Sequence, residues 1–237
     1  MQNQKIEYQD ENITLEGYLA YNSKISGKRP LILIVHDWSG CNEFAQKKAE
    51  AIAELGYVGF AIDMFGKGKL GKTKEEKSQL IKPFMENRKL LRQRIIAAFT
   101  IAQKLEIVDT QRIAVMGFCF GGLCALDLAR TGANIRGAVS FHGLLGTPAN
   151  ITQASIKAKI LALHGHDDPM VPPEQVLAFQ KEMTAASADW QMHIYGNTMH
   201  AFMNPVANDP DFGTVYNKSA ETRAWQAMKN FFAEIFQ

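Results

Sequence analysis

The sequence contains little cysteine: Cys41, Cys119 and Cys124 are the three cysteines among 237 residues. The number is odd and no two of them have C-x-x-C spacing, so neither a disulfide framework nor a zinc site built on paired cysteines is predicted. The H-E-x-x-H pattern of zinc-dependent hydrolases does not occur either, and we expect no metal and no other cofactor. The three cysteines are therefore expected to be reduced thiols.

Long apolar segments and a strong charge of one sign are also lacking. No stretch approaches the roughly 18 apolar residues of a membrane span, and the N-terminal residues carry charges from Lys5 onward where a secretion signal would be apolar. We therefore expect a cytoplasmic protein with no membrane partner. The 26 Lys and Arg against 24 Asp and Glu give a formal net charge of +2, which does not favour binding to nucleic acid.

The overall composition is that of a protein with one large core. Hydrophobic residues make up 46% of the chain and charged residues 21%, which is typical of soluble proteins of this size. No linker rich in proline, glycine or serine interrupts the sequence, so we expect a single domain over residues 1–237. The sequence does not predict an oligomeric state.

Apolar segments rich in β-branched residues alternate with helical patterns along the chain. Their continuous apolar character indicates strands buried on both faces, as parallel strands covered by helices are. The order of strands and helices predicts an α/β fold, a doubly wound and mostly parallel sheet with helices on both faces. The predicted strands are 31–35, 57–62, 112–118, 135–141, 159–165 and 190–195, and the predicted helices are 42–56, 77–105, 121–132, 172–187 and 219–236.

Two parts of this pattern are unusual. Residues 5–20 contain two alternating runs on either side of the turn-like Asp10-Glu11-Asn12, which predicts an antiparallel N-terminal hairpin at the edge of the sheet. The long helix predicted at 77–105 contains Pro83, where we expect a bend because proline cannot donate the helical hydrogen bond.

The segment Gly117-Phe118-Cys119-Phe120-Gly121 lies where a predicted buried strand meets a predicted helix. In that context G-x-nucleophile-x-G forms a sharp turn, in which flanking side chains would press on the backbone and the nucleophile adopts a positive φ. The N-terminus of the following helix then favours a thiolate on Cys119. The alternative is a structural thiol, because cysteine is among the most buried residue types. Cys41 and Cys124 are expected to be packed thiols of that kind.

The partners of such a nucleophile follow in the order of the α/β-hydrolases, acid before histidine. Asp168 comes 49 residues after Cys119, and His200 comes 32 residues after Asp168. Each should lie in a loop that follows a strand, so both are expected at the sheet edge where the nucleophile emerges. We therefore predict a triad of Cys119, His200 and Asp168.

Other residues compete for these two roles. Asp167 adjoins the predicted acid, but Asp168 begins the D-x-x-V-P grouping with which the loop turns into a helix, whereas Asp167 is suited to a turn or cap. Four further histidines end or follow predicted strands and are expected either to be structural or to line the site. They are His36, His142, His164 and His166.

Positive charge is concentrated between Lys67 and Arg94, where ten basic residues stand against three acidic ones. A solvated loop and helix surface explains such an excess. The alternative is that one arginine of this region, Arg88 or Arg92, binds a carboxylate of the substrate.

Four segments together resemble the dienelactone hydrolase family, and the likeness extends from Ile6 to Phe236. The segments are HDWSGCN at 36–42, GFCFGG at 117–122, DDPMVP at 167–172 and NTMHAF at 197–202. The resemblance implies an α/β-hydrolase fold and a cysteine hydrolase of small lactones or esters, with carboxymethylenebutenolidase-type chemistry. It also implies that the backbone amides of Trp38 and Phe120 form the oxyanion hole.

The resemblance bears on two further positions. Family members carry a carboxylate, usually glutamate, just after the third strand, and the matching residue here is Asp37. In relatives this carboxylate is displaced by substrate, so Asp37 is a candidate gate of the nucleophile, whereas its simpler role is to cap a turn or helix. The best-known lactone-cleaving members have an arginine four residues beyond the catalytic histidine, where this chain has Asn204. The resemblance therefore does not identify the substrate.

Three functions remain open from the sequence. The first is a small-molecule lactone or ester hydrolase whose substrate carries a carboxylate, and the second is a general carboxylesterase or acyl thioesterase. The third is a thiol that senses peroxide, in a fold that only binds a ligand or partner.

Overall fold

The computed structural model describes residues 1–149 and 155–237. Its eight-stranded sheet is mostly parallel and begins with an antiparallel hairpin, so the predicted fold class is confirmed. Contacts divide the chain into two compact units, Met1–Met116 and Gly117–Gln237, and the single domain over residues 1–237 stays a prediction. Within the described residues, no helix has the length and apolar character needed to cross a membrane.

The N-terminal hairpin forms as the sequence predicts. Strand β1 (Gln2–Asp10) pairs antiparallel with β2 (Ile13–Tyr21), and Asp10 opposite Ile13 is the last pair before the turn. Glu11 in that turn has a φ of 50°, as tight two-residue hairpin turns require. Strand β1 lies at one edge of the sheet.

The first unit continues the sheet with two fully buried strands and a third strand whose beginning is partly exposed. The strand order is β1-β2-β4-β3-β5, where β4 pairs antiparallel with β2 and parallel with β3. Helix α1 packs so closely on β4 that a Cβ atom on Gly59 would lie 2.3 Å from the carbonyl oxygen of Ala49. The elements are β3 (Arg29–Val35), α1 (Glu43–Glu54), β4 (Val58–Ile62) and β5 (Val108–Phe118).

The helix predicted at 77–105 is two helices, α2 (Lys74–Glu86) and α3 (Arg88–Ala102). The break is at Asn87, four residues beyond Pro83, which lies inside α2, so the prediction of one helix over 77–105 is wrong. The Asn87 side chain accepts hydrogen bonds from the N–H groups of Lys89 and Leu90. Asparagine interrupts helices in this way because its side chain competes for backbone donors and caps the next helix.

The second unit contains the other half of the α/β pattern. Its strands have the order β6-β7-β8, and both pairings are parallel. Along the chain, β8 is followed by a two-stranded antiparallel ladder of β9 and β10 and then by the last helix. The elements are α4 (Phe120–Arg130), β6 (Gly137–Phe141), β7 (Lys159–Gly165), α5 (Pro173–Ala185), β8 (Trp190–Tyr195), β9 (Asn208–Asp209), β10 (Thr214–Val215) and α6 (Lys218–Ile235).

Helices cover both faces of the second unit's strands. A Cβ atom on Gly137 of β6 would lie within 3 Å of Phe231 and Ile235 on α6. Ser140, three residues along the same strand, faces Gly122 of α4. Residues an odd number apart in a strand point to opposite faces, so α6 and α4 pack on opposite sides of β6.

Candidate active site

Cys119 occupies a sharp turn between β5 and α4. Its φ is 54° and its ψ is −118°, and it is the N-cap residue of α4. The N–H of Cys119 donates to the carbonyl oxygen of Phe141 at 3.0 Å, which fixes the turn to the end of β6. A Cβ atom on Gly117 would lie 2.0 Å from the carbonyl oxygen of Gly121, so a glycine is required there. The turn leaves the Cys119 side chain half-buried at the N-terminus of α4.

Asp168 and His200 form a buried pair. His200 Nδ1 donates to Asp168 Oδ2 at 2.6 Å, and Asp168 Oδ1 accepts from the N–H of Met170 at 2.9 Å. Asp167 is exposed, and its N–H donates to the carbonyl oxygen of Thr198. The structure therefore places Asp168, and not Asp167, on the histidine.

The charge of His200 depends on both of its neighbours. Burial lowers the pKa of His200, but the negative charge of Cys119 and the hydrogen bond to Asp168 outweigh burial and raise the pKa to about 10. His200 Nε2 is buried, and no described residue offers it a hydrogen bond of normal geometry. At neutral pH the raised pKa favours the protonated imidazolium form of His200.

The acid loop, residues 165–168, and the histidine loop, residues 196–200, are joined through their backbones. The N–H of His166 donates to the carbonyl oxygen of Tyr195 at 2.9 Å, and that of Asp167 to the carbonyl oxygen of Thr198 at 3.0 Å. Gly165 permits this approach, because a Cβ atom there would lie 2.4 Å from the Thr198 oxygen. Because the two loops are bonded to each other, they fix the position of Asp168 relative to His200.

A second backbone contact holds His200 itself. Its N–H donates to the carbonyl oxygen of Gly213, and its carbonyl oxygen accepts from the N–H of Val215, both at 3.0 Å. The next residue, Ala201, has a φ of 59°, a conformation that costs a residue other than glycine about 1–2 kcal/mol. The sequence does not predict this anchor, because β10 is two residues long and has no periodicity.

Two of the four histidines left open by the sequence lie near the pair. His142 is buried with a φ of 37°, and its ring is edge-to-face with that of His200 at 5.0 Å between centroids. His164 is also buried, and burial lowers its pKa although the charge of Asp168 opposes the shift. His166 is exposed.

His36 is structural in the first unit. His36 Nδ1 donates to the carbonyl oxygen of Asp37 at 2.6 Å, and His36 Nε2 accepts from the N–H of Met64 at 3.1 Å. Burial lowers the pKa of His36 despite that hydrogen bond and the charges of Asp63 and Asp37. A neutral His36 therefore joins the loop after β3 to the loop after β4.

Asp37 and Trp38 follow β3 in the first unit. The carboxylate of Asp37 accepts from the N–H of Ser39 at 2.8 Å, so it stabilises a turn, which is the simpler of the two roles considered for it. The ammonium of Lys77 lies 5.5 Å from the centroid of the Trp38 ring. In the second unit, Phe120 is the first residue of α4, where backbone N–H groups point out of the helix end.

The two arginines considered for a substrate carboxylate lie on α3. Arg88 is its first residue and is half-buried, whereas Arg92 is buried. The nearby Arg94 is engaged by the protein itself, because its Nε donates to Asp10 at 2.6 Å. Binding of a carboxylate by Arg88 or Arg92 stays a prediction.

The other two cysteines differ from Cys119. Cys124 is buried in α4. Cys41 is half-buried, and burial raises the pKa of its thiol to about 12, with the charge of Asp63 adding to the effect. A thiol with a raised pKa is a poor nucleophile at neutral pH. No group of three or more histidine, cysteine, aspartate or glutamate residues suited to a metal ion occurs among residues 1–149 and 155–237.

Comparison with known proteins gives consistent matches. The model of the dienelactone hydrolase family matches residues 15–236. The solved structure of a dienelactone hydrolase-like promiscuous phosphotriesterase from metagenomic libraries is 33% identical, covers 99% of this chain and 98% of its own, and has a TM-score of 0.93. A Bradyrhizobium sp protein named "Probable 2-oxo-3-(5-oxofuran-2-ylidene)propanoate lactonase" is 28% identical over 89% of this chain and 86% of its own. An uncharacterized protein of Caenorhabditis elegans is 36% identical over 62% of this chain and 94% of its own.

A mostly parallel sheet with an antiparallel hairpin at its start and helices around it defines the α/β-hydrolase class. Within that class the chain belongs to the dienelactone hydrolase family, because the family model spans nearly its whole length. The resemblance drawn from four short segments is thereby confirmed. The protein is an enzyme that hydrolyses ester bonds.

Proposed function

We propose that the enzyme hydrolyses small esters or lactones through a thiolate of Cys119, with His200 as acid and base and Asp168 orienting the imidazole. The single observation that carries the proposal is the buried 2.6 Å hydrogen bond between His200 Nδ1 and Asp168 Oδ2. That bond leaves Nε2 as the nitrogen for proton transfer. The charge of Cys119 raises the pKa of the same ring, which supports a functional link between thiolate and imidazolium.

The reaction has two stages. The Cys119 sulfur forms a bond to the substrate carbonyl carbon, and His200 Nε2 gives its proton to the leaving alkoxide as the carbon–oxygen bond breaks. The neutral imidazole then removes a proton from water, hydroxide attacks the thioester, and the sulfur leaves as thiolate while His200 keeps the proton. The backbone amides of Trp38 and Phe120 are proposed to bind the oxyanion, on the strength of the family resemblance. Such a donor contributes about 10²–10³ in rate.

The preferred substrates are small lactones and esters with good leaving groups, because a thiolate is itself a good leaving group from the tetrahedral intermediate. The Bradyrhizobium relative is named for a lactone with a propanoate group, which supports a substrate with a carboxylate. Arg88 and Arg92 are the proposed partners of that carboxylate. Asp37 is proposed to gate the nucleophile, since its negative charge would disfavour a thiolate nearby.

The test is a panel of aryl, alkyl, thio and lactone esters, assayed with the wild-type enzyme and matched variants. Cys119→Ala should be inactive, and Asp168→Asn should lose up to about 10⁴ in kcat because the imidazole adopts the wrong tautomer. Asp167→Asn is the matched control and should keep its activity.

The gating role of Asp37 is tested separately: Asp37→Asn should speed alkylation of Cys119 at pH 6–7. Hydrolysis that survives in Cys119→Ala would refute the triad, and an inert protein that readily forms a sulfenic acid would favour the peroxide-sensing function.

A second candidate activity is phosphotriester hydrolysis. One specific observation favours it, the 33% identity over 99% of the chain to a protein described as a promiscuous phosphotriesterase. An aryl dialkyl phosphate is the appropriate probe, since its aryloxide is a good leaving group. Release of the aryloxide by wild type and not by Cys119→Ala would establish the activity at the same nucleophile.

A further inference from the structure

Asn217 contacts the histidine loop although it lies outside the proposed catalytic triad. Its side-chain Nδ2 donates to the carbonyl oxygen of Asn197 at 3.2 Å and to Thr198 Oγ1 at 3.0 Å. Its backbone N–H donates to the carbonyl oxygen of Phe202 at 3.3 Å. Asn217 therefore holds the segment that carries His200 at both ends.

The contact extends to the acid loop through Thr198. Thr198 is buried, and its hydroxyl already donates to the carbonyl oxygen of Gly196, so it can only accept from Asn217. The carbonyl oxygen of Thr198 accepts from the N–H of Asp167, the residue before Asp168. The side-chain amide of Asn217 is thus linked, through Thr198, to both the histidine loop and the acid loop.

We propose that Asn217 is a positioning residue, whose amide keeps His200 aligned with Asp168 and Cys119. This inference rests on the proposed function. Asn217 touches no reacting atom, and its effect would be exerted through the histidine loop.

A purely structural role is the competing explanation, because Asn217 is also the N-cap of α6. Its side-chain Oδ1 accepts from the N–H of Ala220 at 3.1 Å. The two roles use different atoms of the same amide and can therefore be separated by substitution. Asn217→Asp keeps the capping acceptor and removes the donor to the histidine loop, whereas Asn217→Ala removes both.

Steady-state hydrolysis of p-nitrophenyl acetate and the pH profile of Cys119 alkylation by iodoacetamide are the measurements. Both variants should lower kcat by about 10-fold with little change in KM, since sub-ångström misalignment of an acid–base group affects turnover more than binding. Alkylation at pH 6–7 should slow in parallel, because a displaced imidazolium stabilises the thiolate less. Asn217→Ala should melt about 2–4 °C below Asn217→Asp, because it alone loses the cap.

Thr73→Ala is the control for a lost cap elsewhere. Thr73 is the N-cap of the exposed end of α2, so this variant should lose stability and keep the wild-type kcat and alkylation profile. In an Asp168→Asn background, adding Asn217→Asp should not slow alkylation further, because the two residues act through one imidazole.

A wild-type kcat and alkylation profile in Asn217→Asp would overturn the proposal and leave only the cap. If the wild-type protein hydrolyses no ester, the proposed function fails. The alkylation profile still decides the positioning role in that case.

Discussion

The orientation of His200 depends on a glycine as well as on its carboxylate partner. Gly165 has no side chain to separate the acid loop from the histidine loop, and a Cβ atom there would overlap the carbonyl oxygens of Thr198 and Met199 at 2.4 and 2.8 Å. Real Cβ contacts are longer, so either loop would have to move. The proposed acid–base pair therefore requires a residue without a side chain at position 165.

Gly165→Ala should reduce kcat by about 10-fold or more, because displacement of the loops misaligns His200, and should cost roughly 1–3 kcal/mol of stability through overpacking. Gly196→Ala in the neighbouring loop is the matched control, since a Cβ atom there meets nothing within 4 Å. Ester hydrolysis and urea unfolding of both variants check the prediction. Equal activity in Gly165→Ala and Gly196→Ala would show that displacement of the two loops does not affect catalysis.

The residues of the proposed triad could be predicted from the sequence because their order and their positions after strands are visible in it. The hydrogen bond to Asp168 agrees with the sequence-based choice of that residue over Asp167. The roles of Gly165 and Asn217 could not be predicted, because they depend on backbone atoms of loops that meet only in the folded chain. Likewise, no sequence pattern predicts the positive φ of His142.

Among the elements, α4 and α5 are joined by a fully buried arginine. Arg130 on α4 makes a two-pronged contact with Glu182 on α5, with Nε–Oε1 and Nη2–Oε2 distances of 2.8 and 2.6 Å. It also contacts Asp127 and the carbonyl oxygens of Leu145 and Gly146. This network links the helix after the nucleophile to the segment after β6.

Arg130→Met should lower the free energy of unfolding by about 3–5 kcal/mol, because it removes the buried guanidinium that pairs with Asp127 and Glu182. Lys159→Met is the control: Lys159 pairs with Glu234 and Asp189 at the surface, where such pairs contribute at most about 1 kcal/mol. Urea unfolding at pH 7.5 measures both. A stability loss in Arg130→Met no larger than the control's would show that the network is dispensable.

Most elements of the sheet were predictable, because buried parallel strands have continuous apolar runs. The division of residues 77–105 into two helices was not, since the apolar pattern continues across Asn87 and proline was the more obvious interruption. The ladder of β9 and β10 is too short for any pattern.

For the whole molecule, two buried histidines with lowered pKa values, His36 and His164, weaken the fold as the pH falls, whereas His200, with its raised pKa, has the opposite effect. The pKa values of His36 and His164 are both lowered by burial. Below their ordinary pKa of about 6.5, the unfolded chain binds protons that the folded chain does not. Their contribution is therefore fully present above pH 6.5 and is lost as the pH falls toward the lowered folded-state values.

The contribution of His36 and His164 to the free energy of unfolding should decrease between pH 7 and pH 5.5, by at most about 1 kcal/mol for each. The raised pKa of His200 acts in the opposite direction and adds at most about 1 kcal/mol over the same window. Ordinary carboxylates titrate near pH 4 and contribute little in this window. His36→Gln should reduce the size of the decrease, whatever its effect on stability at pH 8. Urea unfolding at several pH values measures the slope, and a slope unchanged by His36→Gln would exclude this histidine as a cause.

The backbone bonds on either side of His200 also have an evolutionary consequence. Gly213 and Val215 hold the two sides of the residue, and between His200 and Gly213 the chain makes an excursion in which Val206 is 86% exposed. The entropy of closing a loop grows only slowly with its length, so insertions beside the exposed Val206 should cost little stability while the ends of the excursion stay bonded. Relatives can therefore differ in the length of this excursion while the same backbone hydrogen bonds keep His200 in place.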